Sequence, residues 1–120
     1  MTNQIQNSNN KFDLEERTAK FGIAVIRLCK RIRTDEVSKP LVNQLVRSAT
    51  SVGANYMEAN GADSKNDFKA KISICKKEAK ETMHWLRMLA EAEPGFADEL
   101  RVLWKEAHEL SLIFGAINRK

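Results

Sequence analysis

At 120 residues, with 42% apolar and 30% charged side chains, the chain has the size and balance of one globular domain rather than of a disordered or fibrous polymer. Its 20 basic and 16 acidic residues leave a formal net charge of +4, so the placement of the cations says more than their number. No apolar run approaches the ~20 residues of a membrane span, and with only five Gly and two Pro the chain should be mostly helix with short connections.

The first ten residues are rich in Asn and Gln and have no apolar stretch of the kind a secretion signal or anchor needs. Residues 1–12 are therefore expected to form a short disordered lead, with a single domain over 13–120. The first helix is predicted from Asp13, whose carboxylate caps the backbone while Glu16 reaches back three residues later. Its stripe, Phe21, Val25, Leu28, Cys29 and Ile32, has helical spacing. Basic residues cluster at its end, where the helix dipole favours cations, and Thr34 to Ser38 is read as the connection.

Pro40 marks the first turn of the second helix, since its missing N–H would have no partner there. The stripe Leu41, Leu45, Ala49, Val52, Tyr56, Ala59 runs to a stop at Asn60-Gly61. Ser64 with Asp67 opens a third helix bearing Phe68, Ile72, Cys75, Ala79, Thr82, Leu86 and Leu89, which Pro94-Gly95 ends. A fourth carries Phe96, Leu100, Leu103, Ala107, Leu110, Phe114 and Ile117. Four helices of matched length on short connections predict an all-α, antiparallel up-and-down four-helix bundle.

Apolar residues also lie beside these seams, among them Ile23, Ile26, Met57, Trp85, Met88, Trp104 and Leu112. A wide core-facing stripe would use some of them. Two Trp off the main repeat point instead to a second buried surface between copies, because monomers rarely expose a large apolar patch. Self-association is expected. Cys29 and Cys75 fall inside apolar stripes, as small core residues in a reducing, cytoplasmic setting would.

One face of the second helix is polar yet lightly charged: Gln44, Arg47, Ser48, Ser51, Asn55 and Glu58. In an antiparallel hairpin Arg47 falls opposite Glu78 and Glu81, two carboxylates one turn apart and suited to a guanidinium. These groups are read as a structural network that fixes register, in preference to a ligand site.

The same positions carry a resemblance. The run from Gln44 through Arg47-Ser48-Ala49-Thr50-Ser51-Val52-Gly53-Ala54-Asn55-Tyr56-Met57-Glu58-Ala59 resembles the signature of the bacterial four-helix-bundle family named after proteins encoded in 23S rRNA intervening sequences. The block Asp67-Phe68, Lys77-Glu78-Ala79-Lys80-Glu81-Thr82 and Trp85-Leu86 is similar to that family's third helix. The resemblance spans roughly Phe21 to Ile117. It implies an antiparallel bundle that assembles into a ring, typically a homopentamer, without catalysis. It also implies a relationship to the accessory variability determinant of diversity-generating retroelements, which partners a reverse transcriptase and binds nucleic acid through a basic surface.

Catalytic constellations do not assemble in the sequence. A di-iron bundle needs Glu-x-x-His on each of two helices; Glu81-Thr82-Met83-His84 supplies one, whereas Lys105 stands three residues before His108. His84 and His108 are read as surface or interface residues. Neither cysteine has an activating His, and no Gly-rich phosphate loop is present. No enzyme activity, metal or cofactor is expected.

The third helix offers the nucleic-acid candidate: Lys65, Lys69, Lys76 and Lys80 share a side, bordered by Lys77. Repeated around a ring, they would form a positive belt able to hold phosphates. Lys69, Lys76, Lys77 and Lys80 are expected to contact structured RNA, or an RNA–protein complex, helped by Arg27, Lys30 and Arg31. With no aromatic residue among these lysines, contact should read charge and shape rather than bases. The alternative is a protein-only adaptor for a partner enzyme such as a reverse transcriptase.

Overall fold

The structure is a computed structural model that describes the backbone from residue 3 and the side chains from residue 14. Among the described residues there are four helices and no strand: α1 (Asn3–Arg31), α2 (Ser38–Asn60), α3 (Lys65–Ala92) and α4 (Ala97–Asn118), with a 3-10 turn at Pro94–Phe96. Each helix packs on the next, and α1 closes the square against α4 without reaching α3. Cross-helix bonds fix the direction of the α2–α3 pair. Ser48 meets Thr82, Val52 meets Cys75 and Glu58 meets Lys71, so the partner number falls as the α2 number rises. The molecule is an antiparallel four-helix bundle.

The helical stripes of the sequence form its core. Val25, Leu45, Val52, Ile72, Leu86, Leu100, Leu110 and Phe114 are completely or almost completely buried, while Leu41, Phe68, Leu103 and Ile117 pack against them. Burying a side chain of this size contributes about 1.5–3 kcal/mol, and this layer defines which face of each helix points inward. Ser64 caps α3 as expected, its Oγ accepting from the Asp67 amide at 3.0 Å.

Boundaries differ from the sequence reading in three places. Asp13 does not begin α1: the helix runs from Asn3, so the expected lead is helical from residue 3 onward, and nothing before Gly22 is a Gly or Pro that would break it. The proposed Asp13 capping side chain lies outside the described residues. Pro40 lies in the first turn of α2 as expected, but the helix takes in Ser38 from the expected connection, because Asp35 sets the turn; its Oδ1 accepts from the Val37 and Ser38 amides at 2.9 and 2.8 Å, and the Ser38 Oγ accepts from the Asp35 amide at 3.0 Å. Phe96 sits in the 3-10 turn, one residue ahead of α4.

The two seams of α1 are built differently. Against α2 the backbones approach closely; a Cβ on residue 53 would lie 3.3 Å from Thr18 Oγ1, so Gly53 leaves room that a larger residue would need to win by displacement. Against α4, ion pairs bridge the seam. Arg17 makes two parallel bonds to Glu106, at 2.7 and 2.8 Å, and Arg31 reaches Glu99 at 3.0 Å.

Candidate nucleic-acid interface

The α3 lysines gain a second wall from α4. Lys76, Lys77 and Lys80 line a cleft of about 580 Å³ together with Ser73, Gly115, Asn118 and Arg119. Antiparallel packing brings the end of α4 beside the first half of α3. Asn118 locks that register: its Nδ2 donates to the Lys69 carbonyl at 3.0 Å and to Ser73 Oγ at 2.8 Å. Gly115 lies on the cleft floor, where a Cβ would sit 3.5 Å from the Arg119 guanidinium and 3.6 Å from Lys76 Nζ. Among the described residues no carboxylate lines this cleft. Among the described residues Lys76, Lys80 and Arg119 have no acidic partner within salt-bridge distance. Four cations facing one opening repel one another, and a polyanion relieves that repulsion.

The remaining predicted contacts are not brought to this cleft. Lys69 is half-buried at its α4 edge. Lys71, also of α3, points the other way and binds Glu58 of α2 at 2.7 Å. Arg27, Lys30 and Arg31 sit at the far end of α1, whose described residues do not pack on α3. Arg31 is engaged there by Glu99 and stacks over the Phe96 ring, 5.4 Å from its centroid. Since Glu99 and Gly115 are sixteen residues apart on α4, Arg31 lies about 24 Å along the bundle from the cleft. Arg119 was missed because its helix position gives no hint of the α3 lysines opposite.

The polar face of α2 divides in two. Arg47 draws together Gln44, Glu78 and Glu81: its Nε donates to Gln44 Oε1 at 3.4 Å, Nη1 reaches Glu78 at 3.5 Å, and Nη2 binds Glu81. Trp85 completes this group, donating its indole N–H to Glu81 at 3.1 Å. That bond is the largest influence holding the Glu81 carboxyl below its usual range, with Arg47 adding to it against the cost of desolvation. Trp85 follows Glu81 by one helical turn, so the i, i+4 spacing was the available signal. Ser51 and Asn55, in contrast, bond to carbonyls of their own helix, and Glu58 serves Lys71. Beneath the group, Thr82 donates to Ser48 at 2.9 Å in full burial.

The groups weighed for catalysis are otherwise engaged. Burial pushes the Cys29 thiol up to about 11 and the Cys75 thiol up to about 12, so both are neutral at physiological pH and poor nucleophiles. Glu81 is bound by Arg47 and Trp85, and His84 packs edge-on to Trp85 at 4.8 Å. Among the described residues no three His, Cys, Asp or Glu side chains converge as metal ligands, and no helix is long and apolar enough to cross a membrane.

This arrangement of helices and polar signature can be placed among known proteins. Residues 10–116 match the model of the 23S rRNA-intervening sequence protein family. The chain belongs to that family. It is also similar to the crystal structure, at 1.70 Å, of a protein of unknown function from the S23 ribosomal protein family of Bacteroides thetaiotaomicron VPI-5482. The two are 28% identical with a TM-score of 0.80, over 88% of this chain and 98% of that one. No curated protein matches the chain significantly. The match with the family covers α2, α3, the Arg47 group and all cationic positions of the cleft except Arg119.

Proposed function

We propose that this family member is a self-associating, non-catalytic cytoplasmic bundle that holds structured RNA, or an RNA–protein complex, by its phosphates in the α3–α4 cleft. The observation that carries this reading is the convergence of Lys76, Lys77 and Lys80 with Arg119 on one opening that, among the described residues, no carboxylate lines. Lysine is suited to the task as a mobile point charge, and each phosphate it neutralises releases condensed counterions.

Self-association is supported by the opposite side of the bundle. There Ile23 and Met57 are 44% and 66% exposed along a shallow α1–α2 groove floored by Ala19, Gly22 and Ala54. A second copy covering that face would leave the basic cleft outward and repeat it around the assembly.

Fluorescence anisotropy with a labelled RNA hairpin tests the reading. The native chain should bind tightly at low salt, and Lys76→Glu with Lys80→Glu should weaken binding by at least about tenfold for each reversed contact. Absence of binding by the native chain at low salt would leave the protein-adaptor role as the better account.

A further inference from the structure

The basic cleft has a neighbour on the α3–α4 seam. Further along the same α3–α4 seam, toward the Pro94 turn, Arg87 and Arg101 flank a larger groove of about 720 Å³, with Lys105 and Trp104 on its α4 wall. Its floor is apolar, made by Leu86, Ala90, Ala97 and Leu100, because alanine on both helices keeps their side chains from closing the seam. Glu91 is the one carboxylate on its rim. From Lys76 to Arg87 the α3 helix runs about 17 Å. The α4 wall supplies what α3 lacks: an aromatic platform. Trp104 stacks on His108 with ring centroids 5.2 Å apart and planes inclined by 31°. Its indole N–H is buried without a hydrogen-bond partner among the described residues, as is Asn118 Oδ1 at the other end of the seam.

We infer that this groove is a nucleobase subsite: an unpaired base of a bound RNA lies against Trp104 on the apolar floor while Arg87, Arg101 and Lys105 hold the flanking phosphates. The inference rests on the phosphate-binding reading of the neighbouring cleft and deepens it, turning a charge-reading surface into one that selects looped or single-stranded RNA. Two features fit a base better than a simple anion. The volume falls in the range of small-molecule pockets, and the floor is apolar where a phosphate would want donors. Stacking on an aromatic ring accepts any base, so the selection is for unpaired over paired rather than for sequence.

The test compares a hairpin that has an unpaired loop with a blunt duplex of equal charge. Trp85→Phe makes Trp104 the sole tryptophan, so its fluorescence reports the groove directly. The hairpin, and not the duplex, should quench Trp104. Trp104→Leu should lower hairpin affinity roughly tenfold, to the level of the duplex, and leave duplex affinity unchanged. Arg101→Glu, an exposed position that the fold does not need, should erode the same preference should Trp104→Leu fail to fold. Equal affinity for both RNAs, with no quenching, would overturn the subsite and leave the phosphate cleft standing. If neither RNA binds, the cleft and the subsite fall together.

Discussion

Lys76 and Gly115 face each other across the α3–α4 seam, with the lysine Nζ 3.6 Å from where a Cβ on residue 115 would lie. The Arg119 guanidinium is 3.5 Å from the same point, so the missing side chain keeps an opening between two cations. Gly115→Glu would set a carboxylate there. Glutamate is the better helix former, which offsets part of the cost of turning Lys76 and Arg119 off the buried glycine, so the fold should survive. RNA affinity, read by anisotropy, should nevertheless fall by at least about tenfold, or about 1.4 kcal/mol. Undiminished affinity would show that phosphates do not pass over residue 115.

The bundle was legible because its signal is local: stripes such as Phe21, Val25, Leu28 and Ile72, Cys75, Ala79 reveal a buried face from spacing alone. The proposed binding surface was only half legible. Lys76 and Lys80 share a helix face, which a sequence displays, but Arg119, Arg101 and Trp104 join them only through the α3–α4 register. The start of α1 was misplaced for a related reason. A cap signature at Asp13 marks a beginning that sequence can propose, whereas the backbone is already helical from Asn3.

Arg47 reaches both Glu78 and Glu81, and the Glu78 side chain is only 11% exposed. Arg47→Ala leaves that carboxylate without its cation and should destabilise the fold by about 1–3 kcal/mol. Urea unfolding measures the loss. A double change with Glu78→Gln should recover part of it, because the stranded charge goes with the second substitution.

Acid should loosen the bundle. Glu81, bonded by the Trp85 indole, and Asp35, bonded by the Ser38 and Val37 amides, both have pKa values below their usual 4.5 and 3.8. A carboxyl depressed by folding adds stability that is complete above its usual value and is lost as pH falls through the folded one. Melting temperatures should therefore be flat near neutrality and decline as the pH drops below about 4.5. Trp85→Phe should flatten the part of that decline that Glu81 contributes. An identical pH profile in the variant would remove the indole bond from the account.

The α1–α2 groove makes a prediction about mass. Ile23 and Met57 are among its most exposed apolar side chains, and covering them is the proposed reason for assembly. Ile23→Asp with Met57→Asp should shift the sedimentation profile toward the monomer while circular dichroism stays helical. A native chain that sediments as a monomer would contradict self-association outright.

The central claim is that Lys76 and Lys80 neutralise RNA phosphates, and the salt dependence of binding tests it most directly. The slope of log affinity against log salt would be measured on a blunt RNA duplex, for the native chain and for Lys76→Ala with Lys80→Ala. Loss of two phosphate contacts should make the slope shallower by about 1.8, at about 0.9 for each contact, with the melting temperature unchanged. A slope that stays the same after both lysines are removed would contradict the account.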